Sequence, residues 1–189
     1  MTAKTVMAKT AAAVVVTVVG SMLLASSAWA ALDIGDKAPD FTVQAALAGK
    51  QYSFSLSQTL VKGPVVLYFF PAAFSSGCSV EAHEFAQATE KFAALGATVI
   101  GISTDDIGTQ LKFSLQACQG KFAVGSDATK AVIKSYDASM MIMPDYANRV
   151  SYVITPDRSI IYSYQSLNPS KHVANTLTAL QNWENARKR

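Results

Sequence analysis

Apolar residues fall along this chain in two patterns: short unbroken runs, and stripes that recur every three or four positions. "PVVLYFF" at 64–70 and "ATVIGIS" at 97–103 are continuous β-branched and aromatic runs, the pattern of strands covered on both faces. Between them, Phe85, Ala88, Phe92 and Leu95 repeat at helical spacing from Cys78 onward, and Gly96 follows as a stop. Strand, helix and strand predict a βαβ unit with parallel strands. Asp105 and Asp106 are placed to cap a second helix with the stripe Ile107, Leu111, Leu115 and Cys118. Cys118 then lies on the apolar face near the end of that helix.

The remaining segments complete a sheet. "GKQYSFSL" (49–56) reads as part of an early hairpin, and 121–127 as a short strand. A helix follows at 128–136 with Asp127 as its cap. Residues 149–164 form two alternating β runs around a Pro-Asp turn, and 168–189 form a last helix with Pro169 near its start, the stripe Val173, Leu177 and Leu180, and a basic end. This order predicts an α/β fold with a central mixed sheet, parallel in one half and antiparallel in the other, flanked by helices. Thioredoxin-like architecture has this order. Reactive groups in open α/β sheets gather at the carboxyl ends of parallel strands, where Pro71 to Cys78 falls.

The first 30 residues are different in kind. Lys4 and Lys9 precede an uncharged stretch from Thr10 to Leu24, and "ASSAWA" places Ala28 and Ala30 two apart, the order of a secretory signal. The apolar middle is short for the roughly 20 residues of a membrane span, although an uncleaved anchor is the competing reading. Cleavage after Ala30 would leave one domain, 31–189, with 14 basic against 13 acidic residues. That balance gives no reason to expect nucleic acid or a membrane surface as a partner. Export, in a bacterium to the periplasm, places the two cysteines, Cys78 and Cys118, in an oxidising compartment as a structural staple or a redox pair.

Local context separates the two cysteines. An ordinary thiol with a pKa near 8.5 is only about 3% thiolate at pH 7, and the thiolate is the nucleophile. Cys78 sits where a helix begins, so unpaired N–H groups and the positive end of the helix dipole favour its anion. Ser75 and Ser76 offer hydroxyls, and Gly77 lets backbone approach a small substrate. Ser75 can equally serve as a plain helix cap. The histidines, His83 and His172, do not share a metal-binding pattern with Cys78, and His83 reads as solvent-facing or as a second layer around the site. Met140, Met141 and Met143 read as adaptable core filling or pocket lining, or as the edge of a lipophilic entry.

"PAAFSSGC" resembles the peroxiredoxin signature of Pro, three residues, Thr or Ser, two residues, Cys. "VVLYFF", "SVEAHEF", "GDKAPDFTV", "VIGIST" and "NRVSYVITPD" match in order, over nearly all of 31–189. The pattern is most similar to the bacterioferritin-comigratory-protein, or Q-type, branch of the AhpC/TSA group. The resemblance implies that Cys78 attacks the peroxide, Pro71 shields the pocket, Ser75 holds the peroxide in the usual place of Thr, and Arg149 stabilises the thiolate and polarises the peroxide. Glu81 falls where the family often has an acid, with an ordinary helix-surface glutamate as the blander account. Many Q-type members carry a second cysteine five residues after the first; His83 stands there, so the resemblance moves the resolving role to Cys118.

Activity on hydrogen peroxide and organic hydroperoxides, no bound cofactor or metal, a thioredoxin-like reductant and a monomeric state are implied in the same way. The competing classes are an exported thiol-disulfide oxidoreductase, which normally shows two cysteines separated by two residues where residues 75–78 read Ser-Ser-Gly-Cys, and a non-catalytic module on the same fold. If the two sulfurs are too far apart to bond directly, helix ends near them must unwind.

Overall fold

Alternation along each central strand decides which face of the sheet each side chain serves. In the computed structural model, which describes residues 31–189, the strand β3 (Val65–Phe69) sends Val65, Leu67 and Phe69 into one core and Val66 and Tyr68, followed by Phe70, into the other. Both faces are apolar because both are covered, so the run reads as unbroken. The proposed export segment and its cut site lie outside the described residues.

Among the described residues the sheet has seven strands. The hairpin β1 (Thr42–Leu47) and β2 (Lys50–Ser55) leads to a short helix α1 (Leu56–Leu60) and then to β3. Helix α2 (Ser76–Ala94), strand β4 (Thr98–Ser103), helix α3 (Ile107–Gln116), strand β5 (Ala123–Ser126) and helix α4 (Ala131–Ser135) follow. Strands β6 (Val150–Ile154) and β7 (Ile160–Gln165), a 3-10 turn (Pro169–Lys171) and helix α5 (His172–Arg187) close the chain. The spatial order is β2-β1-β5-β4-β3-β6-β7; the sheet is mixed as expected, but β3, β4 and β5 form a parallel centre with antiparallel pairs on both sides, not one parallel and one antiparallel half, because the β1–β2 hairpin pairs with β5. Residues of α2, α3 and α5 fill the core that holds Tyr68, Cys78 and Cys118, while α1 and α4 contribute to the core on the other face.

Several local expectations change. Helix α2 begins at Ser76, so Cys78 is its third residue rather than its first. The α3 stripe is rotated: Gln110, Phe113 and Ser114 are buried, Ile107 and Leu111 only partly, and Leu115 is exposed. Gln110 faces inward because its amide donates to Ser103 Oγ at 2.7 Å and to the Gly125 carbonyl at 3.2 Å, so a hydrogen-bonded polar residue takes a core position. Strand β6 does not alternate between buried and exposed; all five residues are buried because β3 and β7 flank it and helices cover it. The methionine segment is no core filler, since Met141, Ile142 and Met143 are exposed in the loop before β6. The N-cap position of α4 is Lys130, which makes no side-chain cap bond, and Asp127 serves the helix start from three residues further out by accepting the Ile133 N–H at 2.8 Å.

Candidate active site

The approach to Cys78 is a strained loop held from two sides. Residues 71–75 leave the carboxyl end of β3 and turn into α2, with Pro71 half-buried at the first step. Phe74 takes a left-handed backbone (φ 63°) that a bulky residue adopts only when surroundings hold it. Its ring stands edge-on to Phe113 of α3 at 5.2 Å, and Asp105 Oδ2 accepts the Ala73 N–H at 2.7 Å and the Ser103 hydroxyl at 2.6 Å. Asp106, not Asp105, caps α3 by accepting from Thr109 N. The acid beside the loop therefore comes from the end of β4, where inspection of 71–77 alone shows none.

Ser75 occupies the N-cap position with an extended backbone, yet its side chain makes no capping hydrogen bond. The plain cap is thus not what the hydroxyl does; it is exposed and free to meet another group. Cys78, three residues on, is 1% exposed and belongs to the first turn of α2, where a helix's leading N–H groups have no partner within the helix.

Arg149, the residue before β6, reaches this thiol from across the sheet. Asn148 Oδ1 accepts its backbone N–H at 2.9 Å, and Ser166 N donates to its carbonyl at 3.1 Å. The guanidinium uses all three of its nitrogens: Nε donates to the Leu167 carbonyl at 3.1 Å, Nη1 pairs with Glu81, and Nη2 donates to Cys78 Sγ at 3.3 Å. Burial works to lower the guanidinium's pKa, but Glu81 and Cys78 outweigh it and the pKa is raised. Gly77 serves this contact: a Cβ there would lie 3.3 Å from Arg149 Nη2, so the missing side chain makes room for the cation.

Glu81 is fully buried, which removes the account of it as a surface residue. Its spacing carries the signal, because positions three and four beyond Cys78 share its helix face, and Ala82 and Phe85 beside it are buried too. Sequence reasoning assigned nothing to His172, at the start of α5. It is fully buried, with Nδ1 3.7 Å from Glu81 Oε1. Tyr68 is also unanticipated at the site; it stacks on Phe85 at 4.4 Å, over the open face of Gly101, and its hydroxyl is buried without a partner.

Cys118 lies just past α3, in the turn after the C-cap Ala117, and is fully buried among apolar neighbours. Its N–H donates to the Phe113 carbonyl at 3.1 Å. Desolvation pushes its thiol far above the ordinary range. The two cysteines are unbonded. His83 is exposed on α2, its ring 3.1 Å from the Gln119 amide, tying α2 to the turn that carries Cys118.

The sequence profile of the AhpC/TSA family matches residues 34–163. The chain belongs to the AhpC/TSA family. A relative from Oryza sativa subsp. japonica named chloroplastic peroxiredoxin Q is 34% identical over 149 residues, which cover 78% of this chain and 66% of that protein. The chain thus spans just under two thirds of that relative's length. A second, peroxiredoxin Q of Populus jackii, is 32% identical and 70% covered. Among solved structures, peroxidoxin BcpB from Mycobacterium tuberculosis superposes with a TM-score of 0.72 at 29% identity, covering 80% of this chain and 97% of that one. A PrxQ mutant of Xylella fastidiosa gives 0.73 at 22% identity and supports the shared fold. The AhpC/TSA match contains Pro71, Ser75, Cys78, Glu81, Cys118 and Arg149 and ends before His172.

Proposed function

We propose that this chain is a thiol-dependent peroxidase acting on hydrogen peroxide and organic hydroperoxides, with Cys78 as the attacking residue. The observation that carries the reading is the Arg149 Nη2 contact with Cys78 Sγ at 3.3 Å, buried within the first turn of α2. A cation and helix N–H groups favour the thiolate. They are also aimed where charge develops as the peroxide bond breaks. The thiolate attacks one peroxide oxygen, the O–O bond breaks, and the leaving oxygen takes a proton to depart as water or alcohol while Cys78 becomes a sulfenic acid. In this reading Ser75, whose hydroxyl makes no capping bond, holds the peroxide, and Pro71 walls the pocket.

Cys118 then resolves the sulfenic acid: a disulfide forms, water leaves, and a thioredoxin-like dithiol reduces the disulfide. Buried, high-pKa Cys118 needs to leave its apolar site to do so, so the turn at 117–120 and the first turn of α2 unwind in this step. In the same reading residues 1–30 are a cleaved export signal and the 31–189 domain works as a monomer in the bacterial periplasm.

The experiment is peroxide addition to reduced protein, with thiol state followed by mass. Cys78→Ser abolishes rapid peroxide consumption. Cys118→Ser keeps the first turnover and accumulates sulfinic acid at Cys78. A wild type that ignores peroxide and reduces protein disulfides instead would make the oxidoreductase the better reading.

A further inference from the structure

The polar groups behind Cys78 continue past Arg149. Glu81 Oε2 takes the guanidinium, whereas Glu81 Oε1 is buried with no hydrogen-bond donor. Facing it at 3.7 Å is Nδ1 of His172. The neighbours of the imidazole fix its tautomer. Nε2 lies 2.9 Å from the Ser166 carbonyl, which can only accept, so Nε2 carries a hydrogen. Nδ1 lies 2.7 Å from Ser151 Oγ and accepts that hydroxyl when the ring is neutral. The unpartnered Glu81 Oε1 thus faces, at 3.7 Å, a ring nitrogen that carries no hydrogen in this tautomer and whose present partner, the Ser151 hydroxyl, can rotate away.

Charge balance says where a proton between these two groups originates. Cys78 and Glu84 from α2, Tyr68 from β3, Arg149 before β6 and His172 from α5 are the titratable groups around Glu81, and His172 also meets the Tyr164 ring of β7 at 4.8 Å. Cys78, Glu81, Arg149 and His172 are buried, and a buried cluster is least costly near zero net charge. Two arrangements satisfy this with Arg149 cationic. Either Cys78 is a thiol and Glu81 a carboxylate, or Cys78 is a thiolate and Glu81 holds the proton.

We propose that Glu81 and His172 hold one proton between them, and that His172 is thereby a positioning residue that selects the arrangement with Cys78 as thiolate. The step balances within the protein: the Cys78 S–H bond breaks, its electron pair stays on sulfur, and the proton is taken at Glu81 Oε1. The Ser151 hydroxyl rotates off Nδ1 as the new O–H turns towards that nitrogen. Burial raises the Glu81 carboxyl to about 8, against the pull of Arg149, and lowers His172 to about 4, so at neutral pH the shared proton resides on the carboxyl side. His172 has a second hold on the site: its bond to Ser166 fixes the segment whose Leu167 carbonyl anchors Arg149 Nε.

This inference rests on Cys78 being the reacting thiol, and its test does not depend on peroxide. In a Cys118→Ser background the rate of iodoacetamide capture at Cys78 is measured against pH. His172→Phe is expected to move the midpoint up by about one pH unit, a tenfold loss of thiolate on the acid side of the curve. Glu81→Gln, which is permanently uncharged, is expected to leave the midpoint at or below that of the parent. Adding His172→Phe to Glu81→Gln then moves nothing. An unmoved midpoint in His172→Phe, or an equal shift with Glu81→Gln present, would overturn the proposal, because a packing role alone acts in both backgrounds. In the parent protein at pH 6, infrared spectroscopy should show a protonated carboxyl band that Glu81→Gln removes; its absence overturns the proposal even if His172→Phe does not fold. Failure of the peroxidase reading has a separate signature, wild-type protein that does not turn over peroxide.

Discussion

Cys78 and Cys118 are both free and both almost wholly removed from water, yet they sit in opposite chemical surroundings. Cys118 sits in a hydrophobic core cluster, where desolvation drives its thiol towards the neutral form. Cys78 has equal burial but also a helix start, a guanidinium at 3.3 Å and a glycine that admits it. Burial alone therefore makes an inert thiol. Burial beside a fixed cation is a different setting, because attraction between opposite charges is stronger in the protein interior than in water. In the proposed reaction this contrast becomes a division of labour: Cys78, which attacks, is pre-organised, and Cys118, which resolves, is kept silent until its turn opens.

The largest test of that contrast removes the cation. Arg149→Met should reduce iodoacetamide capture at Cys78 at pH 7 on the order of 10²-fold, a loss typical of deleting one pre-organised charge donor. Peptide mass mapping of the partly alkylated protein checks it. In the wild type Cys78 is modified well before Cys118, and in Arg149→Met that preference should collapse. A preference that survives would assign the activation of Cys78 to the helix start.

A smaller effect appears in stability against pH. The Glu81 carboxyl is held at about 8 in the folded chain against about 4.3 unfolded. A raised folded value gives stability that is complete below pH 4.3 and lost as pH rises through 8. His172, lowered from 6.5 to about 4, contributes in the reverse sense: its stability is complete above 6.5 and lost as pH falls through 4. The two slopes oppose each other up to pH 6.5, so the Glu81 contribution stands clear only between 6.5 and 8. Over that window wild type should lose up to about 2 kcal/mol relative to Glu81→Gln, the limit for one proton at 1.36 kcal/mol per pH unit. Urea unfolding of the two proteins at each pH gives the difference directly; parallel stabilities would mean that Glu81 is ionised throughout.

How far these features could be read from sequence depends on what kind of contact each one is. The sheet was legible because β3 and β4 are buried on both faces, which leaves unbroken apolar runs. Cys78 was legible because the strand end and helix start that place it are adjacent in sequence. Arg149 and Cys118 followed from family resemblance, since nothing local ties residues 71 and 40 positions away to Cys78. Glu81 was discounted because a glutamate on a helix is usually solvated, and its burial depends on Arg149 arriving from β6. His172 left no readable trace: α5 has a weak apolar stripe, and a histidine at its start looks like an ordinary first-turn residue until the bonds to Ser151 and Ser166 are seen. The α3 stripe misled for a related reason, as Gln110 and Ser114 are buried polar groups whose partners lie on other elements or across the backbone.

The smallest expected effect divides stability from reactivity most cleanly. Gly77 is the second residue of α2 and has no left-handed backbone to protect. Alanine there should favour the helix by up to about 1 kcal/mol. Its Cβ would nevertheless stand 3.3 Å from Arg149 Nη2, closer than an ordinary contact, and the guanidinium must give way by a few tenths of an ångström. The Nη2 contact with Cys78 lengthens by a similar amount, enough to weaken a charge-assisted hydrogen bond without breaking it. Gly77→Ala is therefore expected to melt at or slightly above the wild-type temperature while iodoacetamide capture at Cys78 slows by roughly threefold, a loss of about 0.7 kcal/mol. If melting temperature and capture rate fell together, the glycine would be needed for the turn into α2, and the account of it as clearance for the cation would fail.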